Sequence, residues 1–251
     1  MKIKKLRNQS NFYFSNFYNF WRDAKNPRGL LRRTTLNEYR KVQPQWNVLL
    51  DLDALAKAEG ENWVWGGSNC LAPDYNRCLI SLSRGGADAK VIREFDIAKR
   101  EFVKDGFFLP EAKSQTAWID SNTLYVGTDF GSGSMTKSGY TRIIKIWKRG
   151  TPLSEAVQVF EGLDSDVSTF INVDKTPGFE RITVGRSIDF YNTEIKLWVN
   201  GQWVKIDKPN DATLSWQREW AFLLLKSDLK TSTSTFKSGS FLAIKFDALM
   251  K

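Results

Sequence analysis

Glu194-Ile-Lys-Leu-Trp-Val-Asn-Gly-Gln-Trp-Val-Lys-Ile206 reads as a β-hairpin. Asn200-Gly201 separates two runs in which Ile, Leu, Trp and Val recur, and Asn-Gly is the pair that tolerates the two positive φ angles of a type I′ turn. With that turn Trp198 faces Trp203, Leu197 faces Val204 and Ile195 faces Ile206. Lys196 and Lys205 then also face each other, an unfavourable like-charge pair unless it is screened.

The same grammar extends outward in both directions. Cys78, Ile80 and Leu82 interleave with Leu79, Ser81 and Ser83 at a period of two. The turn Arg84-Gly-Gly-Ala-Asp88 follows, then a second run from Lys90 to Ile97, which makes another hairpin. Arg142 to Trp147 is a further strand, with Ile144 and Ile146 on one face, stopped at Arg149-Gly150. Helix signals are few. Leu52 to Glu59 is closed by Gly60 and has Asp51 or Asp53 near its cap, and Asp247 to Lys251 starts a similar short piece. Strand openings with an aromatic residue recur about every 50 residues, at Trp63-Val-Trp65, Trp118-Ile-Asp120, Phe170-Ile-Asn172 and Trp216-Gln-Arg218. A period near that length, with about four strands per unit, indicates β-propeller blades.

The fold class is therefore all-β. A chain of 251 residues with 10 Trp, 17 Phe and 7 Tyr can build a sizeable core of sheets packed face on face. The net charge of +9 raises the question of nucleic acid. The basic runs Lys2–Arg7 and Arg32–Arg33 are short, Lys and Arg elsewhere alternate with acids, and a solvated surface is the preferred reading. No stretch approaches the ~18 apolar residues of a membrane helix. The N-terminus lacks the apolar block of a secretory signal.

The chain contains no histidine. A Ser-His-Asp or Cys-His nucleophile, a His-containing zinc site and an imidazole switch are all excluded. The spacing of Cys70 and Cys78 fits no zinc motif, and Cys78 on a strand face reads as a buried thiol, which points to a reducing, cytoplasmic setting.

Several separated stretches resemble the prolyl oligopeptidase family of serine peptidases. They are Tyr18-Asn-Phe-Trp-Arg-Asp-Ala-Lys-Asn-Pro-Arg-Gly-Leu30 with Arg33-Thr-Thr-Leu36, Gln45-Trp-Asn-Val-Leu-Leu-Asp-Leu-Asp-Ala-Leu55 and Glu59-Gly-Glu-Asn-Trp-Val-Trp65. Leu79-Ile-Ser-Leu-Ser-Arg-Gly-Gly-Ala-Asp-Ala89, Val126-Gly-Thr-Asp-Phe-Gly131 and Gly239-Ser-Phe-Leu-Ala-Ile-Lys-Phe-Asp247 are similar to it as well. The resemblance spans about residues 17–251 and is nearest to a bacterial branch. It implies a seven-bladed β-propeller that caps an α/β-hydrolase domain and restricts access to short peptides, the hydrolase domain carrying the catalytic Ser, Asp and His. The hydrolase half and the later blades have no counterpart in this sequence, so no catalytic residue carries over. The expectation is an incomplete propeller of about four blades plus part of a fifth over residues 17–251, preceded by an unplaced basic and aromatic segment, 1–16.

The residues agree with the missing site. A nucleophile elbow requires Gly-x-Ser-x-Gly between a strand and a helix. Gly66-Gly-Ser-Asn-Cys70 and Gly131-Ser-Gly-Ser-Met135 both lack the closing Gly and read as turns. Asp51, Asp53, Asp120, Asp129, Asp164, Asp166 and Asp189 are candidates for carboxylate chemistry of the glycosidase type. Most sit at strand ends beside Gly, Asn or Ser, where Asp fixes turns. Ser132, Ser134, Thr136 and Ser138 form a flexible polar loop, either substrate-facing or an ordinary connection, the second being preferred. Thr231-Ser-Thr-Ser-Thr235 is a loop without specific chemistry, Asn8-Gln9-Ser10 is a sequon in form only, and most of the Trp residues read as core. No catalytic, cofactor-binding or metal residue is assigned, and no cofactor.

Four functions stay open: a non-catalytic propeller portion of an oligopeptidase-like protein, half of a split enzyme completed by a separate hydrolase chain, a carboxylate-based glycosidase, and a generic binding scaffold. The expected partners are that hydrolase-domain chain or a second copy, through exposed blade faces, with neither nucleic acid nor membrane.

Overall fold

The computed structural model describes residues 10–13 and 16–250. The Lys2–Arg7 run and the Asn8-Gln9 part of the sequon lie outside the described residues. The backbone forms successive antiparallel meanders, each taken up where the last one ends.

The first sheet holds β1 (Ser10–Tyr13), β2 (Asn16–Trp21), β3 (Leu30–Thr35) and β4 (Asn47–Asp51), with helix α1 (Leu36–Tyr39) after β3 and α2 (Leu52–Glu59) after β4. Its opening strand lies inside the segment that the sequence leaves unplaced. The second sheet is β5 (Trp63–Cys70), β6 (Arg77–Arg84), β7 (Lys90–Asp96) and the short β8 (Glu101–Phe102), with β9 (Phe108–Ala112) paired to the other half of β7. The third is β10 (Gln115–Asp120), β11 (Thr123–Gly127), β12 (Ile143–Lys148) and β13 (Val157–Glu161). The fourth is β14 (Ser168–Asp174), β15 (Arg181–Ser187), β16 (Thr193–Val199) and β17 (Gln202–Lys205). The fifth begins with β18 (Thr213–Gln217) and β19 (Trp220–Leu224), is interrupted by the hairpin β20 (Leu229–Lys230) and β21 (Thr235–Phe236), and resumes at β22 (Phe241–Lys245), before α3 (Phe246–Leu249). Among the described residues this gives four full meanders and a three-stranded fifth, as the recurrence of aromatic strands leads one to expect. The chain divides into two compact units, one ending at Ala112 and the other starting at Lys113.

The elements form for local reasons. Asp51 caps α2 by accepting from the Ala54 amide at 2.9 Å, and Gly60 closes it in the left-handed conformation at φ 67°. Asn200 and Gly201 take φ 47° and 86°, and the hairpin register pairs Trp198 with Trp203 and Leu197 with Val204. The two indoles meet edge to face at 4.7 Å. The opposed Lys196 and Lys205 are reconciled by Glu194, whose carboxylate oxygens lie 3.8 and 3.3 Å from the two ammonium groups.

The aromatic signals all fall in the first strand of a sheet, though at different heights. Trp63 opens β5, Phe170 lies inside β14, and Trp118 and Trp216 come near the ends of β10 and β18. They track which strand leads each sheet, not where it begins. In β6 the alternation is real, yet Leu79 and Ser83 are buried along with Cys78, Ile80 and Leu82. The second face of this strand is thus covered as well as the first.

In the first unit, Cys78, Ile80 and Leu82 pack with Leu31, Leu50, Leu52 and Trp63, so the core joins the first two sheets and α2. In the second unit Ile144 and Val184 centre the core between the third and fourth sheets. Ile195, Leu197, Ala221 and Phe246 centre the next one, between the fourth and fifth. Each fully buried Leu or Ile contributes about 1.5–3 kcal/mol.

The buried-thiol expectation is corrected. Cys70 and Cys78 are directly opposite in the β5–β6 register and are joined as a disulfide. Their spacing closes a tight hairpin, so the two sulfurs meet across the strands, and the argument from free thiols to a reducing compartment falls away. No helix among the described residues is long and apolar enough to cross a membrane.

Candidate functional site

The seven aspartates nominated for carboxylate chemistry each bond to nearby chain. Asp51 caps α2, and Asp53 accepts from the Arg28 and Gly29 amides at 3.1–3.2 Å, fixing the turn between β2 and β3. Asp120 accepts from the Asn122 amide at 2.7 Å, and Asp189 from the Tyr191 and Asn192 amides at 2.7 and 2.8 Å. The Asn192 side chain and those amides hold the Asp189 carboxyl below the ordinary aspartate range. Asp129 holds the Gly131 amide, Asp164 pairs with Lys137 at 3.2 Å, and buried Asp166 joins the Leu163 amide to Arg186.

The segment from 129 to 142 is tightly built, contrary to the flexible loop read from its composition. Ser134 and Thr136 are buried, while Ser132 and Ser138 are exposed. The Ser134 hydroxyl donates to Gly131 O at 2.6 Å and accepts from the Phe130 amide at 2.8 Å. Thr136 donates to Val167 O at 3.0 Å, the Lys137 amide donates to Asp164 O at 2.8 Å, and Arg142 clasps Gly133 O and Glu161. Composition reports polarity but not these partners, of which Val167 and Asp164 lie some thirty residues away. Neither Ser68 in β5 nor Ser134 stands at a strand-to-helix junction. Residues 131–135 form a turn as read, whereas residues 66–70 lie inside β5 and the turn expected there is corrected to strand.

Two crevices escape the sequence reading. The larger, of about 710 Å³, lies in the second unit, where the turn between β14 and β15 meets the end of β16 and α3. Arg181 places its guanidinium 4.1 Å from the Phe246 ring centroid and donates to Phe179 O at 3.2 Å, and Lys175 reaches Ile119 O. Its lining has Asp, Glu, Lys and Arg, but no Ser, Thr or Cys that could attack a carbonyl. The other, of about 600 Å³, lies in the first unit beside β7 and β8. There Arg93 bonds Glu59 at 2.7 Å, and Arg84 bonds Glu61 and Glu111, which raises the Arg84 pKa and lowers that of Glu61. These walls come from strands far apart in sequence, so no local motif marks them.

The excess of cations has a structural use. Arg32 lies between Trp21 and Trp46, 4.3 and 4.4 Å from their ring centroids, and burial lowers its pKa. Arg84 covers Trp63, Arg93 covers Phe102, Lys145 covers Phe130 and Lys245 covers Trp220. Such contacts are worth roughly 0.5–1 kcal/mol each where exposed, and they spread the basic side chains over aromatic rims.

The fold agrees with what this chain is similar to. The family model for the prolyl oligopeptidase N-terminal β-propeller domain matches residues 10–212. An uncharacterized peptidase of Sinorhizobium fredii, y4nA, is 44% identical over 92% of this chain and 33% of its own length. A second, RP174 of Rickettsia prowazekii, is 36% identical over 93% of this chain and 34% of its own. The structure of a post-proline cleaving enzyme from Rickettsia typhi superimposes with a TM-score of 0.89 at 34% identity, over 96% of this chain and 37% of that one. The chain thus spans about a third of the length of the relatives it matches. It belongs to the prolyl oligopeptidase family, and what it carries is that family's N-terminal β-propeller domain.

Proposed function

We propose that this chain is a non-catalytic element of a prolyl oligopeptidase-like serine endopeptidase, acting as the propeller portion that controls which peptides reach a catalytic site housed elsewhere. The observation that carries this reading is the family match together with a histidine count of zero. A Ser-His-Asp triad needs an imidazole as general base, and these 251 residues offer none. The purified chain is expected to leave proline-containing chromogenic peptides intact. Turnover that follows the chain through successive columns and vanishes on mutating one of its own residues would overturn the reading.

A second reading is favoured by one face of the fifth sheet. Trp220, Leu224 and Phe241 are exposed there, Phe241 by 66%, and Phe222 stacks on Phe241 at 5.6 Å. Contiguous apolar surface of this kind is characteristic of an interface. In this reading the face receives a further sheet, from a separate hydrolase-bearing chain or from a second copy. Capture of the tagged chain from its own cells, followed by mass spectrometry, is expected to recover a hydrolase-type polypeptide. Recovery of none, with a monomer by light scattering, would count against both versions.

A further inference from the structure

Lys208 lies in the crossing from the fourth sheet to the fifth, between β17 and β18, and is only 8% exposed. Its Nζ is 3.0 Å from Thr193 O, 3.2 Å from Thr193 Oγ1, 3.0 Å from Pro209 O, 3.3 Å from Asn210 O and 3.0 Å from Ala212 O. An ammonium group has three N–H donors, so five oxygens are more than paired hydrogen bonding requires. The arrangement is an oxygen shell around a cation. The backbone is wound to make it: the Thr193 amide donates to Asn210 O at 2.8 Å, and the Ala212 amide to Pro209 O at 3.0 Å. No carboxylate oxygen is among the five. Burial pushes the Lys208 pKa below the ordinary lysine value, and the Asp211 charge opposes that shift.

We propose that Thr193, Pro209, Asn210 and Ala212 form a binding site for a large monovalent cation, which the chain fills with its own Lys208 ammonium group. The chemistry of the shell selects the ligand class. Its distances of 3.0–3.3 Å exceed the ~2.3–2.6 Å that Ca²⁺ takes and the ~2.0–2.1 Å of Mg²⁺. Five neutral oxygens also give a divalent ion no charge to offset its dehydration. Ammonium and primary alkylammonium ions meet both conditions. In this role Lys208 is a tethered ligand that fixes the crossing and thereby sets where β18 begins. Without a cation, Pro209 O and Asn210 O keep only the amides of Ala212 and Thr193, and the remaining oxygens of the shell lose the ammonium donor they share.

The test uses the whole chain with Lys208→Ala, which empties both the shell and the alkyl slot leading to it. Melting is compared in choline, ammonium and propylammonium chlorides at equal ionic strength, choline being too bulky to enter and propylammonium matching the three carbons and the ammonium that alanine lacks. In choline the variant is expected to melt about 5 °C or more below the parent. Propylammonium should recover a substantial part of that loss by mass action and ammonium a smaller part, with the parent unmoved. A variant as stable as the parent in choline, or one whose melting is the same in all three salts, would overturn the proposal. A measurement on the parent needs no variant to fold. In ¹H–¹⁵N spectra of the lysine ammonium groups at neutral pH, Lys208 should exchange with water much more slowly than the exposed lysines. Exchange as fast as theirs would equally overturn it.

Discussion

Gly185 sits midway along β15 opposite Phe170, and the phenyl ring lies over the space a side chain would fill. A methyl group there would meet the Phe170 ring and Glu194 O. Gly185→Ala should therefore destabilise the chain by about 1–3 kcal/mol, read from urea midpoints. Two residues earlier, Thr183 is fully buried and its hydroxyl has no partner. Thr183→Val removes that stranded group and should raise stability by about 1 kcal/mol with the urea slope unchanged. At Asp23, Trp21 Nε1 donates to one carboxylate oxygen while Asn26 and the Lys25 amide donate to the other, and together they lower its pKa from 3.8 to about 2. A depressed acid stabilises the fold above its unfolded pKa, so this turn holds fully above pH 3.8 and loosens as pH falls toward 2. An NMR titration of the Asp23 carboxyl should find its midpoint near 2, and a midpoint at 3.8 would contradict these bonds. The aspartate turns at Asp120, Asp129 and Asp189 are legible in sequence because donor and acceptor lie within three residues of each other, whereas the hold of Asp53 on Arg28 and Gly29 is not. The disulfide is not, because the register of β5 against β6 decides it.

Among elements, the third and fourth sheets are joined at their leading strands by Gln115 of β10. Its amide nitrogen donates to Thr141 Oγ1 at 2.5 Å and to Thr169 O, and its carbonyl oxygen accepts from the Ile171 amide at 3.3 Å. The Thr169 amide returns a bond to Thr141 O at 2.8 Å. Replacing Gln115 by Ala takes the side-chain acceptor from the Ile171 amide, leaves Thr141 Oγ1 and Thr169 O with their long mutual contact of 3.4 Å, and should cost about 1–2 kcal/mol. Hydrogen exchange should show the Ile171 amide losing protection while the β16–β17 hairpin keeps its own. Uniform loss across both would place Gln115 in the general core instead of at the joint. The hairpins are readable because period-two patterns and Asn-Gly or Gly-Gly turns are local. The joints are not: Gln115 and Thr169 are 54 residues apart and carry no pattern of their own. The same reason hides the order of the 129–142 loop, whose ties run to Asp164 and Val167.

At the scale of the whole molecule, the repeat of aromatic leading strands was enough to indicate stacked four-stranded sheets, and family motifs placed them in a propeller. The crevices and the Lys208 shell could not be read, since each gathers residues from several segments. The exposed face of the fifth sheet, with Phe190 and Tyr191 89% and 82% exposed on the turn after β15, predicts a chain that self-associates or binds hydrophobic dyes. Phe241→Lys should weaken both, and light scattering that finds a clean monomer without dye binding in the parent would show those faces to be inert. The central proposal is that this chain supplies a propeller without a catalytic nucleophile of its own. It is tested most directly by the intact mass of the pure 28.8 kDa chain after exposure to a serine-directed fluorophosphonate. The mass should stay unchanged under conditions that label a serine peptidase to completion; a single stoichiometric adduct on one serine of this chain would contradict the account.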